Sequence, residues 1–415
     1  MDTAPLPSLR LIDSESVQAV SHNDLLSSLS LMIASGLAQT KAALGRATGL
    51  PRSSVSGYTD ELLRRGVIRE SGVIASDRGR PAERLLLSPA LGLILIADVG
   101  AAHVTLAIAD LNMTLLIHES HRRDVRQYSP LSYLKWLTQQ LQRLADVAAP
   151  NRRFGLCVLG LPARIDTHQS MAVRPPNMPE WDAFDASRAL SGMLKCPVVI
   201  ENDVNLRALG EASSLPSEQR PVFAVKIGTG IGSGIVDTHG RVFHGFDGAA
   251  GEIGHTPTSQ GLRIRCRCGN LGCLEAIAAV PGMIARLHDL TDAADDVLTV
   301  EDLMVLVRAQ DEAALQVVRE SGQAVGEIVA ALCNALNPRR VVIGGLITLA
   351  SDELLAKIRT SVYQLGRPLA TRNLIIAHSG LGQLAGVAGA MVLGAQSALS
   401  PQYLFAKRQA TSHNS

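Results

Sequence analysis

Three thiols fall within eight residues in the stretch Cys266-Arg267-Cys268-Gly269-Asn270-Leu271-Gly272-Cys273, shortly after Gly254-His255. A fold for this chain must either converge these side chains on one point or bury free thiols beside three arginines. One imidazole and three thiolates form a tetrahedral donor set of the kind a structural zinc prefers. The Cys-x-Cys step and two glycines let the loop close around an ion. His255, Cys266, Cys268 and Cys273 fill all four positions, so the metal is expected to hold structure rather than activate water. Six cysteines in 415 residues do not make a disulfide framework, and the cluster suits a reducing compartment.

That length allows two or three domains, each with its own core. Hydrophobic residues make up 47% and charged residues 19%, which excludes wholesale disorder. Aromatics reach only 3%, so the core must rest on aliphatic side chains. No apolar run is long enough for a membrane span, and the N-terminus lacks the order of a signal peptide. The expectation is a soluble, cytoplasmic protein without a membrane partner. The net charge of +1 points to no partner, but Gln39–Arg84 carries nine Lys/Arg against five Asp/Glu, which suits a small DNA-contacting module.

Short helical patterns run from Asn23 to Thr59, and Arg78-Gly79-Arg80-Pro81 with Ser88-Pro89 marks a boundary near residue 90. Leu91–Val99, Val104–Ala109 and Thr114–Ser120 read as a three-stranded meander. A helix over Leu131–Val147 and a strand over Phe154–Leu159 follow. Val198–Ile200, Glu201–Ala212 and Val222–Ile227 read as strand, helix, strand. A long helix over 312–337 and a strand over Arg340–Ile343 continue the alternation. This predicts an α/β body over residues 90–400, divided into two lobes. The first twenty residues are expected to be loosely held, and those from about Pro401 frayed.

In the front module, residues 20–89, Thr40 can cap a helix over Lys41–Thr48. Gly49 supplies a tight turn, and Pro51 suits the start of the next helix. Small Gly45 is expected to let the two helices approach, with Leu44, Leu50 and Val55 between them. Helix, glycine turn and helix at this spacing form a helix-turn-helix. Arg52, Ser53, Ser54, Ser56 and Tyr58 give the second helix a short, polar face for phosphates and base edges. Val73-Ile74 and Leu85–Leu87 can form a wing whose tip, Arg78 and Arg80, suits a narrow minor groove.

The body also resembles a known family. Glu201-Asn202-Asp203-Val204-Asn205, then Gly228-Thr229-Gly230-Ile231-Gly232-Ser233-Gly234, then Gly248–His255, then the cysteine cluster ending at Glu275, occur in the order seen in the ROK (repressor, open reading frame, kinase) family. The resemblance, over roughly residues 20–395, includes the winged helix-turn-helix of the family's repressors. It implies a two-lobed, actin-like and hexokinase-like (ribonuclease H-like) ATPase-type fold with sugar and ATP in the cleft. Asp203 matches the family's catalytic base, which takes a proton from the attacking sugar hydroxyl. Asn202, Asp203, Glu252, His255 and Glu275 match sugar-binding positions, and Asn177 in the Pro175-Pro176-Asn177 turn is a further candidate. His255 would give one ring nitrogen to zinc and the other to sugar.

On the nucleotide side Asp98, Gly100, Gly228, Thr229, Gly230, Gly344 and Gly345 match family positions. The first loop nevertheless departs from the kinase pattern Asp-x-Gly-Gly-Thr, reading Asp98-Val99-Gly100-Ala101-Ala102-His103. A methyl group where the backbone must approach phosphate obstructs it, and the lost hydroxyl removes a hydrogen bond. The expected function is a DNA-binding transcriptional regulator, a repressor of carbohydrate-utilisation genes. A sugar or sugar derivative in the cleft controls it, and two heads of a homodimer or homotetramer meet a two-fold symmetric operator. The alternatives are an ATP-dependent sugar kinase of glucokinase or N-acetylhexosamine kinase type, alone or bifunctional, and a zinc-stabilised scaffold.

Overall fold

The computed structural model describes residues 6–12, 21–74, 81–166, 168–173, 175, 178–261, 263–291 and 299–406. Three helices, α1 (His22–Ala34), α2 (Lys41–Thr48) and α3 (Arg52–Arg64), precede an antiparallel hairpin of β1 (Ile68–Ile74) and β2 (Ala82–Leu87). The Thr40 hydroxyl accepts the Ala43 N–H at 3.1 Å, capping α2, and Gly49 ends that helix at φ +69°. Pro51 stands just before α3 rather than inside it. Leu44 and Val55 are buried between the helices. Gly45 is not required for their approach: a Cβ there would lie 3.8 Å from Leu50 O and 3.9 Å from Val55 Cγ2, ordinary contact distances.

The first lobe opens with the meander β3 (Leu93–Val99), β4 (His103–Asp110) and β5 (Leu115–Arg122). It continues through α4 (Pro130–Ala148), β6 (Phe154–Leu161), a short hairpin of β7 (Ile165–Asp166) and β8 (Met171–Ala172), α5 (Ala186–Leu194) and β9 (Val198–Asn202). Its sheet runs β5-β4-β3-β6-β9, antiparallel in the meander and parallel from β3 to β9. Every residue of β3 is buried, as a strand covered on both faces requires.

Helix α6 (Asp203–Ser214) then leads to the second lobe, which opens with β10 (Val222–Ile227) and β11 (Ile231–Val236). After these come α7 (Leu274–Ala278), α8 (Val280–Leu290), α9 (Val300–Arg308), α10 (Glu312–Leu336) and β12 (Arg340–Gly344). The chain finishes with α11 (Glu353–Leu365), α12 (Pro368–Thr371), β13 (Ile375–His378), α13 (Ala385–Ala398) and α14 (Pro401–Ala406). The sheet order is β11-β10-β12-β13, again an antiparallel pair followed by parallel strands. A single antiparallel bridge, Val236 to Val242, stands where β5 stands in the first lobe. The repeated plan is the two-lobed actin-like and hexokinase-like architecture implied by the motifs. Glu201 and Asn202 belong to β9, not to the following helix, because the Asn202 side chain caps α6 from outside it.

The last helix of each lobe packs on the other lobe. Helix α6 lies on β10 and β11, whereas α13 returns to β3 and β6. The two helices cross at backbone contact. A Cβ on Gly389 would stand 1.8 Å from Leu206 O, and one on Gly210 would stand 2.2 Å from Ala385 O.

Both described chain ends are better ordered than the sequence suggests. Leu9 and Leu11 are buried, Arg10 N–H donates to Ser213 O at 2.9 Å, and Gln396 Nε2 donates to Leu11 O at 2.9 Å. Residues 6–12 thus tie the α6 terminus to α13. Helix α14 packs against α1, with Tyr403, Leu404 and Phe405 on the shared apolar core. Leucines at alternate positions and a short apolar run were the available signals, and both need a partner surface to become structure.

Gly389→Ala is expected to cost ~1–3 kcal/mol, because the added methyl group must push two helices apart. Gly57→Ala, where nothing lies within 4 Å on α3, should instead gain about 0.5–1 kcal/mol from helix propensity. Thermal unfolding of both variants checks this; equal midpoints would refute close contact at the crossing.

Candidate functional site

A cleft of about 520 Å³ opens between the lobes, at the C-terminal ends of β9 and β10. Asn202, Asp203, Glu252, His255 and Glu275 all line it, so five of the six sugar-binding candidates converge. Asn177 lies outside the described residues.

Helix α6 starts at the cleft because Asn202 Oδ1 accepts the N–H groups of Val204 and Asn205 at 3.0 and 3.1 Å. The Asn202 amide also donates to Ala163 O at 2.9 Å, so most of its hydrogen-bonding capacity is used in positioning the helix. Asp203 is only 3% exposed, and its Oδ2 accepts from Lys226 Nζ at 2.6 Å. Glu275 Oε2 accepts the Ile231 N–H at 3.0 Å. Gly230 makes room for that carboxylate, since a Cβ there would lie 2.5 Å from Glu275 Oε2.

Ion pairs among the described residues also cross from lobe to lobe: Arg164 to Glu252 at 3.0 Å, Arg122 to Glu301 at 2.9 Å, and His244 to Glu201 at 2.7 Å, besides Lys226 to Asp203. The Glu201 hydrogen bond raises the His244 imidazole above its usual range, against the effect of burial. A raised folded pKa makes this contribution complete below the unfolded value near 6.5 and lost as pH rises through the folded value. His244→Gln should therefore flatten the alkaline fall in thermal midpoint by on the order of 1 °C. Midpoints measured from pH 6 to 8.5 test this, and a parallel decline in both proteins would count against it.

The four metal-ligand candidates converge as well. His255 Nδ1 lies 3.7 Å from Cys266 Sγ, and Cys268 Sγ lies 3.7 Å from Cys273 Sγ. All four donor atoms fall within 4.8 Å of one another. A tetrahedron with metal–sulfur bonds of about 2.3 Å has edges of about 3.8 Å, so the set fits a tetrahedral metal. Burial, with Cys268 and Cys266 beside it, pushes the Cys273 thiol up to about 12. A dication would reverse that shift. With Nδ1 turned to the cysteines, Nε2 is the second ring nitrogen of a cleft-lining residue.

The nucleotide-side candidates are placed less favourably for phosphate. Gly100 N–H donates to His103 O at 2.8 Å, and the His103 ring folds over the turn, its Cε1 3.4 Å from where a Gly100 Cβ would stand. Burial, aided by Lys226 and Arg207, lowers the His103 pKa. Asp98 faces Arg207 at 3.7 Å, and burial pushes its carboxyl up despite that guanidinium. Gly228 N–H donates to Gly230 O at 2.9 Å, closing a tight loop, and Thr229 lines the cleft. Gly344 borders a small recess next to Lys226. Gly345, at φ +121°, has a packing reason: a Cβ would lie 1.8 Å from Ile227 O.

Lys226, Arg126, Arg164 and Arg267 line the cleft and were not singled out by motif reasoning, nor were Arg207 and His244 near it. Lys226 left one signal, as a lone charge in the apolar strand Val222–Ile227.

In the front module Arg52 and Ser53 are exposed, and Ser54, Ser56 and Tyr58 are half-buried. The Tyr58 ring packs 5.3 Å from that of His22. The two acids of α3 are both paired, Asp60 with Lys41 at 2.8 Å and Glu61 with His22 at 2.9 Å. Arg78 and Arg80 lie outside the described residues.

Among the described residues, no helix is long and apolar enough to cross a membrane. The ROK family model matches residues 95–397. A glucokinase of Halalkalibacterium halodurans is 34% identical over 244 residues, covering 56% of this chain and 73% of its own. The DNA-binding transcriptional repressor Mlc of Escherichia coli (strain K12) is 27% identical over 367 residues, or 84% of this chain and 87% of its own. The crystal structure of a ROK family transcriptional regulator, a homologue of the E. coli MLC protein, superposes with a TM-score of 0.75 at 25% identity. That match spans 92% of this chain and 97% of the other. Relatives of both kinds, regulators and a kinase, share the body, and the motifs, fold and family model agree that this chain is a member of the ROK family.

Proposed function

We propose that the chain is a sugar-responsive DNA-binding repressor in which a zinc-braced cleft senses the effector. The observation that carries this reading is one continuous apolar core joining head to body. Leu26, Leu29 and Ile33 of α1 share it with Val392, Ala395 and Leu399 at the end of α13, and with Leu206 of α6. The Ser27 hydroxyl also donates to Leu399 O at 2.6 Å. A sugar bridging the lobes favours one angle between them, α13 follows its lobe, and α1 follows α13. In a homodimer or homotetramer this would change the spacing of paired heads on a two-fold operator.

Arg52, Ser53, Ser54, Ser56 and Tyr58 would contact the major groove, with Arg78 and Arg80 of the wing in the minor groove. Asn202, Asp203, Glu252, His255 and Glu275, with Asn177, would bind sugar hydroxyls. His255, Cys266, Cys268 and Cys273 would hold zinc, which supplies rigidity, so that His255 presents Nε2 in one orientation. Phosphoryl transfer is disfavoured by the methyl groups of Ala101 and Ala102, by His103 over Gly100 and by Lys226 on the candidate base.

The protein is expected to shift DNA from upstream of its own gene and to release it with at least one sugar from a panel. Arg52→Ala should weaken operator binding about tenfold and reduce the salt slope by about one, if that side chain meets a phosphate. Indifference to the DNA together with sugar-dependent ATP turnover would overturn the reading in favour of a kinase. Metal analysis should find one zinc per chain. Cys268→Ser should lose that metal and blunt sugar release while leaving operator binding; full metal content in this variant would remove Cys268 from the ligand set.

A further inference from the structure

The crossing of α6 and α13 gives α6 the form of a lever. Its contact with α13 lies at Leu206 and Gly210, against Ala385 and Gly389. Asp203, which lines the cleft, stands three residues before Leu206, and Ser213 stands three residues after Gly210. One arm therefore ends in the cleft and an equal arm ends behind it. Helix α6 packs on the sheet of the second lobe and α13 on that of the first. A change in the angle between the lobes must turn one helix against the other.

Residues 6–12 join the rear ends of these two helices. The Arg10 N–H donates to Ser213 O of α6 at 2.9 Å, and the next carbonyl, Leu11 O, accepts from Gln396 Nε2 of α13 at 2.9 Å. Leu9 and Leu11 are buried while Ser8 and Arg10 are exposed, the alternation of an extended chain lying on a surface. Both leucines share an apolar core with Leu206 and Leu209 of α6 and with Met391 and Ala395 of α13. Two crossed bars pivot about their contact, but a third member joining their ends makes a triangle, which holds its angle. Two leucines and two hydrogen bonds form a small contact that can open locally without unfolding a lobe.

We propose that residues 6–12 are a regulatory tie between the lobes: docked, they fix the lobe angle, and their release and the movement of the cleft are one coupled event. The tie acts on that angle whatever the cleft holds.

Amide hydrogen exchange of the full-length chain tests this, with wild type compared against Leu9→Ser/Leu11→Ser and against Gln396→Ala. The informative amides are Val204 and Asn205, which donate to Asn202 Oδ1 where β9 meets the cleft end of α6. They should exchange about fivefold faster in the double variant and about twofold faster in Gln396→Ala. The buried amides of β3 serve as the reference for global stability and should change less. Faster exchange confined to residues 210–214 and 392–399, or a uniform rise that includes β3, would overturn the proposal, since a local clamp or a general loss of stability would then suffice. The coupling must also run in reverse. Arg122→Ala/Arg164→Ala removes two ion pairs between the lobes and leaves residues 6–12 intact. Trypsin should then release the peptide ending at exposed Arg10 about threefold faster than from wild type, and an unchanged rate would overturn the proposal. If Leu9→Ser/Leu11→Ser does not fold, Gln396→Ala and the trypsin measurement still decide. Neither measurement involves sugar or DNA, so failure of the sensor reading is distinguishable from failure of the tie.

Discussion

The crossing of α6 and α13 is the contact on which the rest of the molecule depends. Each helix belongs by sequence to one lobe and packs on the sheet of the other, so neither lobe is complete without its neighbour. Only glycine at Gly210 and Gly389 lets the two backbones touch. Close packing there leaves little room for independent movement: a change in lobe angle must appear as a movement of these two helices. The cleft lies at one end of α6, and the DNA-binding head lies against the far end of α13. The cleft and the head are therefore joined by two packed helices rather than by a flexible linker.

The cleft holds the carboxylates and glycine turns that match the family pattern, and their neighbours decide what those groups can do. Asp203 remains at the start of α6, held by the Asn202 cap, yet its carboxylate is occupied by an ammonium group. Gly100 remains at the first turn, yet an imidazole covers it. Gly345, just after β12, lies against the end of β10, where a Cβ would collide with Ile227 O whatever the cleft binds. A glycine that the packing itself requires says little about catalysis, so an intact glycine motif is weaker testimony to it than the neighbours of the candidate base.

Much of this was legible in the sequence. The meander, α4, β6, β10 and β12 follow apolar runs bounded by turns, and their observed limits differ from the periodicity by a few residues. Thr40 and Gly49 mark the ends of α2 through local hydrogen bonding and backbone freedom, which nearby residues alone decide. The thiol cluster was readable because its donors are close in the chain. What was not legible depends on distant partners. Glu201 and His244 meet across the cleft, Lys226 gains meaning only beside Asp203, and Leu9 and Leu11 become core only when the α6–α13 surface is present. Gly45 shows the reverse error: a glycine at a helix pair suggested crowding where the structure has space for a methyl group.

The shared apolar core between α1 and the end of α13 also limits how such regulators can be rebuilt. A reading head that merely hung from a tether could be exchanged as a cassette, with its specificity moving intact to another body. Here the head's first helix is a packing partner of the body's last long helix, joined through Ser27 and Leu399. A chimera that transplants α2, α3 and the wing while keeping the native α1 would preserve that seam, whereas one spliced at residue 90 would break it and separate ligand recognition from transcriptional output.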